Sequence, residues 1–279
     1  MIPAAFEYER VDSVEAAIGA LQADDGAKLL AGGHSLLPQM KLRFVMPTKL
    51  VDIGRLRDVS YIREDGDSVA IGALTRYHDL QASDALRELC PIVATVAGQV
   101  GDPQVRHMGT IGGSVAHADP AGDMPSVLLA LGATFVATGS GGSREIAADD
   151  MFPGLFQSAL ANDEVLTEIR VPKTTGGWSY QKFTRRAQDW AVVGVAAVQM
   201  NGSANVSLTN MGLTPMRASG VEEALAGGAD PATAAERADE GSAPPSDSFG
   251  SEEYRRALSK VLVRRALEEA LAQSDHLRA

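Results

Sequence analysis

The 279-residue chain has a single cysteine, Cys90. It therefore forms no internal disulfide and cannot supply the thiolates of an iron–sulfur cluster or a cysteine-type zinc site. Any such centre that serves this protein has to lie on another chain. Basic residues are in deficit: Lys+Arg 25 against Asp+Glu 36 leaves a formal charge of −11. A chain of that charge is a poor partner for a phosphate backbone or an anionic bilayer. Arg185, Arg186, Arg264 and Arg265 are too scattered to make a nucleic-acid footprint. Long apolar runs are also missing. The longest reaches from Trp190 to Met200 with Gly194 inside it, about half of the ~20 residues that a bilayer crossing takes. Met1-Ile2-Pro3 is followed by neither a basic nor an apolar leader segment, so no secretion signal is read. These absences predict a protein that is not an integral membrane protein and binds no nucleic acid, with a cytoplasmic location that leaves peripheral association at the inner membrane face open.

What is present fits a globular chain: 45% apolar and 22% charged residues. The length suggests about two domains. Ser13 is a candidate N-cap for a helix to Ala23, with Val14, Ala17, Ile18 and Leu21 at helical spacing. Lys28–Ala31, Leu50–Ile53 and Ser68–Gly72 read as strands, and Tyr77–Leu86 and Ile92–Val100 as helices. This alternation predicts an α/β-type first domain within an α+β whole. Lys173–Trp178, after the strand-ending Pro172, reads as the boundary, giving domains at 1–175 and 176–279. Beyond it, Ala191–Met200 and Ala204–Asn210 form a hairpin around Asn201-Gly202-Ser203. Ala226–Pro245 reads as a helix fragment plus loop, and Ser251–Leu271 as a final amphipathic helix.

Two glycine loops carry the chemistry. The first, Ala31-Gly32-Gly33-His34-Ser35-Leu36-Leu37-Pro38, follows a buried strand. Paired glycines allow positive φ and let a ligand approach the backbone, and successive N–H groups there suit a diphosphate. The spacing is neither G-x-G-x-x-G nor a P-loop, and alone it could be a simple turn. The second, Gly109-Thr110-Ile111-Gly112-Gly113-Ser114, places three glycines within five positions and reads as another backbone-donor cradle. Asp119 and Asp123 beyond it can accept from ribose or ribityl hydroxyls. His117 and Asp119 alone do not complete a metal shell, so no metal is expected. No nucleophile–base or paired-carboxylate pattern points to hydrolysis, and His34 reads as a loop hydrogen-bonder. Cys90 before Pro91 reads as a small buried apolar residue.

The Ala31–Leu36 loop, the Thr110–Gly113 run and its His117-Ala118-Asp119-Pro120 continuation resemble the FAD-binding medium subunits of molybdenum hydroxylases, the xanthine dehydrogenase family. The likeness extends through Asp163–Ile169 to nearly the whole chain. The first loop, continued to Lys41-Leu42-Arg43, looks most like medium subunits of the aerobic carbon monoxide dehydrogenase type. The resemblance implies a PCMH, or vanillyl-alcohol-oxidase-type, FAD domain followed by a smaller domain of antiparallel strands and helices. It implies that Ala31, Gly32, Gly33, His34 and Ser35 hold the FAD diphosphate through backbone amides, with Leu36 packing nearby. Thr110, Ile111, Gly112, Gly113 and Ser114 would take its other side and the ribityl chain, Ser114 standing where several relatives have Asn. Asp123 would reach toward the ribityl or flavin end, Leu166 would sit against the cofactor and Lys182 near it. By itself Arg185–Ala191 could be a charged turn with Trp190 in the core. In the resemblance, Asp189 and Trp190 lie over the isoalloxazine, with Trp replacing the Tyr or Ile of some relatives.

The function so implied is electron transfer. Electrons would come from a large molybdopterin-binding subunit through a small subunit with two 2Fe–2S clusters to FAD here, then to a quinone or other acceptor. The assembly would be a dimer of heterotrimers, with no catalytic acid or base in this chain. Other readings stay open: the flavin subunit of an aldehyde, purine or N-heterocycle hydroxylase, a self-sufficient flavin oxidase, or a scaffold with empty loops.

Overall fold

A computed structural model of the chain describes residues 2–174, 176–200 and 202–278, with side chains to residue 274. Thr175 of the expected boundary and Asn201 of the expected hairpin turn lie outside the described residues. The α+β class holds.

The chain opens with β1 (Glu7–Arg10), α1 (Val14–Ala23), β2 (Lys28–Leu30), α2 (Leu36–Leu42) and β3 (Lys49–Asp52). The strands form a small parallel sheet in the order β1-β3-β2. Ser13 caps α1 by accepting from the Ala16 amide at 3.1 Å, and Ala17, Ile18 and Leu21 bury the helix against Val51 and Ile53. Among the described residues, only this segment pairs in parallel. Next come β4 (Ile62–Asp65), β5 (Ser68–Gly72), α3 (Tyr77–Ala82), α4 (Asp84–Leu89), α5 (Pro91–Ala97), α6 (Pro103–Met108), α7 (Ile111–His117) and α8 (Asp123–Leu131). The expected helix over 77–86 is two helices, because Ser83 leaves the helical conformation and caps the second on the Leu86 amide. β6 (Thr134–Gly139), β7 (Gly142–Ala147) and β8 (Val165–Pro172) then complete an antiparallel sheet in the order β4-β5-β8-β6-β7.

The C-terminal part has β9 (Trp178–Phe183), β10 (Val193–Met200), β11 (Ser203–Thr209) and β12 (Met216–Arg217), an antiparallel sheet in the order β12-β11-β10-β9. α9 (Ser219–Ala226), α10 (Pro231–Ala235) and α11 (Glu252–Arg278) follow. Both faces of β10 are buried, which is why it reads as a continuous apolar run. Val193, Val195 and Ala197 pack toward α11, while Ala196 and Val198 join the core of the first part. α8 is the keystone between the two parts. Its Ser126 exchanges hydrogen bonds with Ser207, Leu208 and Thr209 of β11 in a buried, fully partnered polar cluster. Strand β9 is thereby held against the helices of the first part, and two of its side chains reach the site.

Candidate functional site

A cavity of about 1020 Å³ runs between the two glycine segments and reaches residues 187–190. That volume lies at the upper end of ordinary ligand pockets. It is lined by every residue expected to touch a cofactor except Ile111: Ala31, Gly32, Gly33, His34, Ser35, Leu36, Thr110, Gly112, Gly113, Ser114, Asp123, Leu166, Lys182, Asp189 and Trp190.

The first wall is the turn between β2 and α2. Gly33 takes φ +74, and its carbonyl accepts from the Leu37 amide at 3.1 Å, starting α2. His34 folds its ring back on the Gly32 carbonyl at 3.2 Å. Among the described residues, the amides of Gly32, Gly33, His34 and Ser35 donate to no protein acceptor, and Ser35 makes no side-chain cap bond to α2. These part-exposed amides are free for water or for a ligand in the cavity to accept their hydrogen bonds.

The second wall differs from the expected loop. Thr110 to His117 is a capped helix, with Thr110 Oγ1 accepting from the Gly113 amide at 3.1 Å. The Ile111 amide donates to Thr75 O and the Gly112 amide to Ala73 O, at 3.1 and 2.8 Å. A row of free amides is therefore absent from this segment. The Ile111 side chain is buried in the core, and Gly112 is required by packing, since a Cβ there would lie 2.6 Å from the Ala73 Cβ. The wall offers Gly113, where a Cβ would meet only Thr110 Oγ1, and the Ser114 hydroxyl. The buried Tyr77 hydroxyl donates to Ser114 Oγ at 2.6 Å, leaving the serine proton free to donate onward. Tyr77 stays protonated because burial pushes its phenol upward.

Toward the 187–190 loop, Tyr180 and Lys182 stand on one face of β9 at the strand period of two. Tyr180 donates to Asp123 Oδ1 at 2.7 Å, and Lys182 Nζ donates to Asp123 Oδ2 at 2.8 Å and Gln99 O at 3.2 Å. Burial pushes the Asp123 carboxyl above the usual carboxylate range, with Lys182 and Tyr180 pulling the other way. Gly194, across from Lys182, makes room for this network: a Cβ there would lie 2.8 Å from the Tyr180 hydroxyl. Asp189 and Trp190 come from the loop between β9 and β10, where Gln188 has φ +68, Arg186 pairs with Asp189 at 3.0 Å and Trp190 is 69% exposed. A smaller cavity of about 350 Å³ adjoins this end and shares Gly101, Lys182, Gln188 and Asp189 with it.

Some wall residues carry no sequence signal. Phe156 holds φ +52 and lays its ring on His117, 5.2 Å between centroids. Burial lowers the His117 pKa, outweighing nearby Asp119. Tyr77 and Tyr180 likewise sit in segments that read only as helix and strand. Among the described residues, no three His, Cys, Asp or Glu side chains group as a metal site, and no helix is long and apolar enough to cross a membrane.

The residues present fit FAD: free amides and a positive-φ glycine for a diphosphate, hydroxyl and carboxylate groups for a polyol, and an aromatic loop at the far end. Comparison with known proteins agrees. The family described as the FAD binding domain in molybdopterin dehydrogenase matches residues 4–174, and the CO dehydrogenase flavoprotein C-terminal domain matches residues 178–270. The carbon monoxide dehydrogenase medium chain of Hydrogenophaga pseudoflava is 41% identical, covering 98% of this chain and 99% of that one. The glyceraldehyde dehydrogenase medium chain of Sulfolobus acidocaldarius is 39% identical, covering 96% and 99%. A solved structure of carbon monoxide dehydrogenase from Hydrogenophaga pseudoflava, in a form lacking the Mo-pyranopterin moiety of its cofactor, superimposes with a TM-score of 0.93 at 42% identity over 98% of this chain and 100% of that one.

Proposed function

The chain belongs to the FAD-binding flavoproteins of the molybdopterin dehydrogenases, and from that premise we propose that it is the medium subunit of an aerobic carbon monoxide dehydrogenase. The whole reaction is CO + H₂O → CO₂ + 2H⁺ + 2e⁻. Its molybdenum step lies on a large subunit and its two 2Fe–2S clusters on a small one, in a dimer of heterotrimers; electrons leave this chain for a quinone or similar acceptor. The observation that carries the flavin role is the row of unspent amides from Gly32 to Ser35 facing the cavity. FAD, when bound, supplies the conversion between one-electron and two-electron transfer.

The chain's own residues bind and orient. The Gly32–Ser35 amides and Ser35 Oγ would take the diphosphate, and Ser114, oriented by Tyr77, and Asp123 the ribityl hydroxyls. The buried Lys182–Asp123 pair would give a flavin ring bound beside it a fixed, water-poor charge environment, and Trp190 in the same cavity lining would flank it. No residue here has to move a proton for CO oxidation. The division near 173–178 then separates the diphosphate-binding part from the part that supplies Tyr180, Lys182 and the covering loop.

A second reading within the same family is supported by the 39% identity to a glyceraldehyde dehydrogenase medium chain: an aldehyde-oxidising complex. Purification of the native complex tests both. Mo and Fe–S subunits should co-purify, and CO should drive dye reduction. Reduction by aldehydes but not by CO selects the second reading. A colourless chain that takes up no added FAD refutes the flavin role itself.

A further inference from the structure

We infer that Arg255, which the binding of cofactor does not itself require, is the positioning residue that holds the Arg185–Trp190 loop over the cavity. Arg255 lies in the first turns of α11 and is 0% exposed, rare for an arginine. Its Nη1 donates to the Val192 carbonyl, and its Nη2 donates to both carboxylate oxygens of Asp247 at 2.8 Å. Its buried Nε has no partner among the described residues. Asp247 in turn accepts from the Phe249 and Gly250 amides at 2.8 and 3.2 Å and so organises the turn that carries Ser248. The Ser248 carbonyl accepts from Arg185.

One guanidinium thus fixes both stems of the loop. It holds Val192, two residues after Trp190, directly, and it holds Arg185 through the Asp247 turn. Asn210 adds a third tie, donating to the Ala191 carbonyl at 2.8 Å. The tip has fewer ties: Gln188 is at φ +68, Arg186 reaches Asp189 from an exposed position, and Trp190 is mostly exposed. Arg255 is buried while the Asp247 side chain is 40% exposed, and a charge taken out of water is a poor source of stability compared with apolar packing, so the worth of the pair lies in geometry. It places a fixed stem beneath an exposed indole, and small shifts of the Val192 carbonyl become shifts of Trp190 relative to the ring end.

This rests on the flavin reading, and the test separates the two. In the full chain carrying Trp178→Phe, Trp190 is the sole tryptophan, since the sequence has Trp 2. Arg255→Met, Arg255→Lys and Arg185→Ala are compared with this parent for FAD affinity, quenching of Trp190 by bound FAD, Trp190 anisotropy and flavin midpoint potential. Arg255→Met should keep FAD affinity within about threefold. Its Trp190 quenching should fall by about twofold or more, its anisotropy should drop on the nanosecond scale, and its potential should move. Arg255→Lys, which keeps the charge but not the fork, should rescue part of the change. Arg185→Ala, at an exposed site, should show a weaker change in the same direction. Loaded Arg255→Met with parental quenching, anisotropy and potential overturns the proposal, as does an unfolded Arg255→Met accompanied by an unaltered Arg185→Ala. If the parent takes up no FAD, the flavin reading falls, while the anisotropy of the apo-proteins still decides whether Arg255 holds the loop.

Discussion

Adding one methyl group at Gly32 should cost the protein its cofactor while leaving most of its fold intact. A Cβ built there lies 2.3 Å from the Met108 carbonyl oxygen and 2.9 Å from the Gly109 Cα. All the obstructing atoms are backbone, so no side-chain rotation relieves the overlap. The Gly32 turn must move away from the Met108–Gly109 junction, and these are the roots of the two cavity walls. Overpacking of this kind costs about 1–3 kcal/mol. Of that range, about 2–3 kcal/mol falling on the bound geometry corresponds to roughly 30- to 150-fold weaker FAD binding. Titrating apo-protein with FAD, followed by quenching of flavin fluorescence, measures this directly. Gly19→Ala is the control: nothing lies within 4 Å of its Cβ position on α1, so affinity should be unchanged and stability should rise by about 0.5–1 kcal/mol. Gly33→Ala should also bind weakly, because φ is +74 there, but its nearest obstacles are the flexible Leu30 and Leu37 side chains. If Gly32→Ala binds FAD as tightly as the parent, the two walls do not meet a ligand where we place it. If its loss of binding disappears once unfolded protein is accounted for, the argument from local geometry is wrong.

Lys182→Met should strand Asp123 in a buried site with Tyr180 as its remaining partner, costing about 3–5 kcal/mol in thermal or urea unfolding. Burial already raises the Asp123 pKa, and removing Lys182 raises it further. The folded state then holds a proton that the unfolded state releases, so the variant's deficit should shrink as pH falls from 7 toward the unfolded value of about 3.9. A deficit constant between pH 7 and 5 would contradict this. Cys90 is buried and its thiol is pushed up to about 12 by burial, so iodoacetamide at pH 8 should label it only at the rate of unfolding. Labelling faster than unfolding would mean that the α4–α5 junction opens locally. Ser13→Ala should remove the α1 cap for about 1 kcal/mol, seen as a lower Tm, with no change in FAD affinity.

The parts of this site legible from sequence are those fixed by local backbone chemistry. Gly32-Gly33 after a buried strand marked a turn with exposed amides, and the turn has them. The Ser13 cap and the β10–β11 hairpin are legible for the same reason: caps and turns are encoded within a few residues. The second glycine segment was misread as a loop of donors because paired glycines disfavour helix in isolation. Tertiary packing overrides that preference. Gly112 is glycine because α7 lies directly on Ala73, and the amides of Ile111 and Gly112 are spent on that contact.

The end of the cavity at Asp123 and Lys182 is the least legible because its logic spans the whole chain. Gly194 interrupts an apolar run and looks like a flaw in a strand. Its missing Cβ leaves room for the Tyr180 hydroxyl to pass and reach Asp123, 57 residues earlier in sequence. Asp123 is one carboxylate among many until β9 is laid across α8, and that placement depends in turn on Ser126 being satisfied by β11. A burial-raised carboxyl, a lysine and a tyrosine therefore form one unit drawn from both parts of the molecule. Neither part alone could keep Asp123 buried, oriented and partnered. It follows that the C-terminal part does more than flank the cavity: without its strand β9, this end of the cavity would have neither Lys182 nor the loop that carries Asp189 and Trp190.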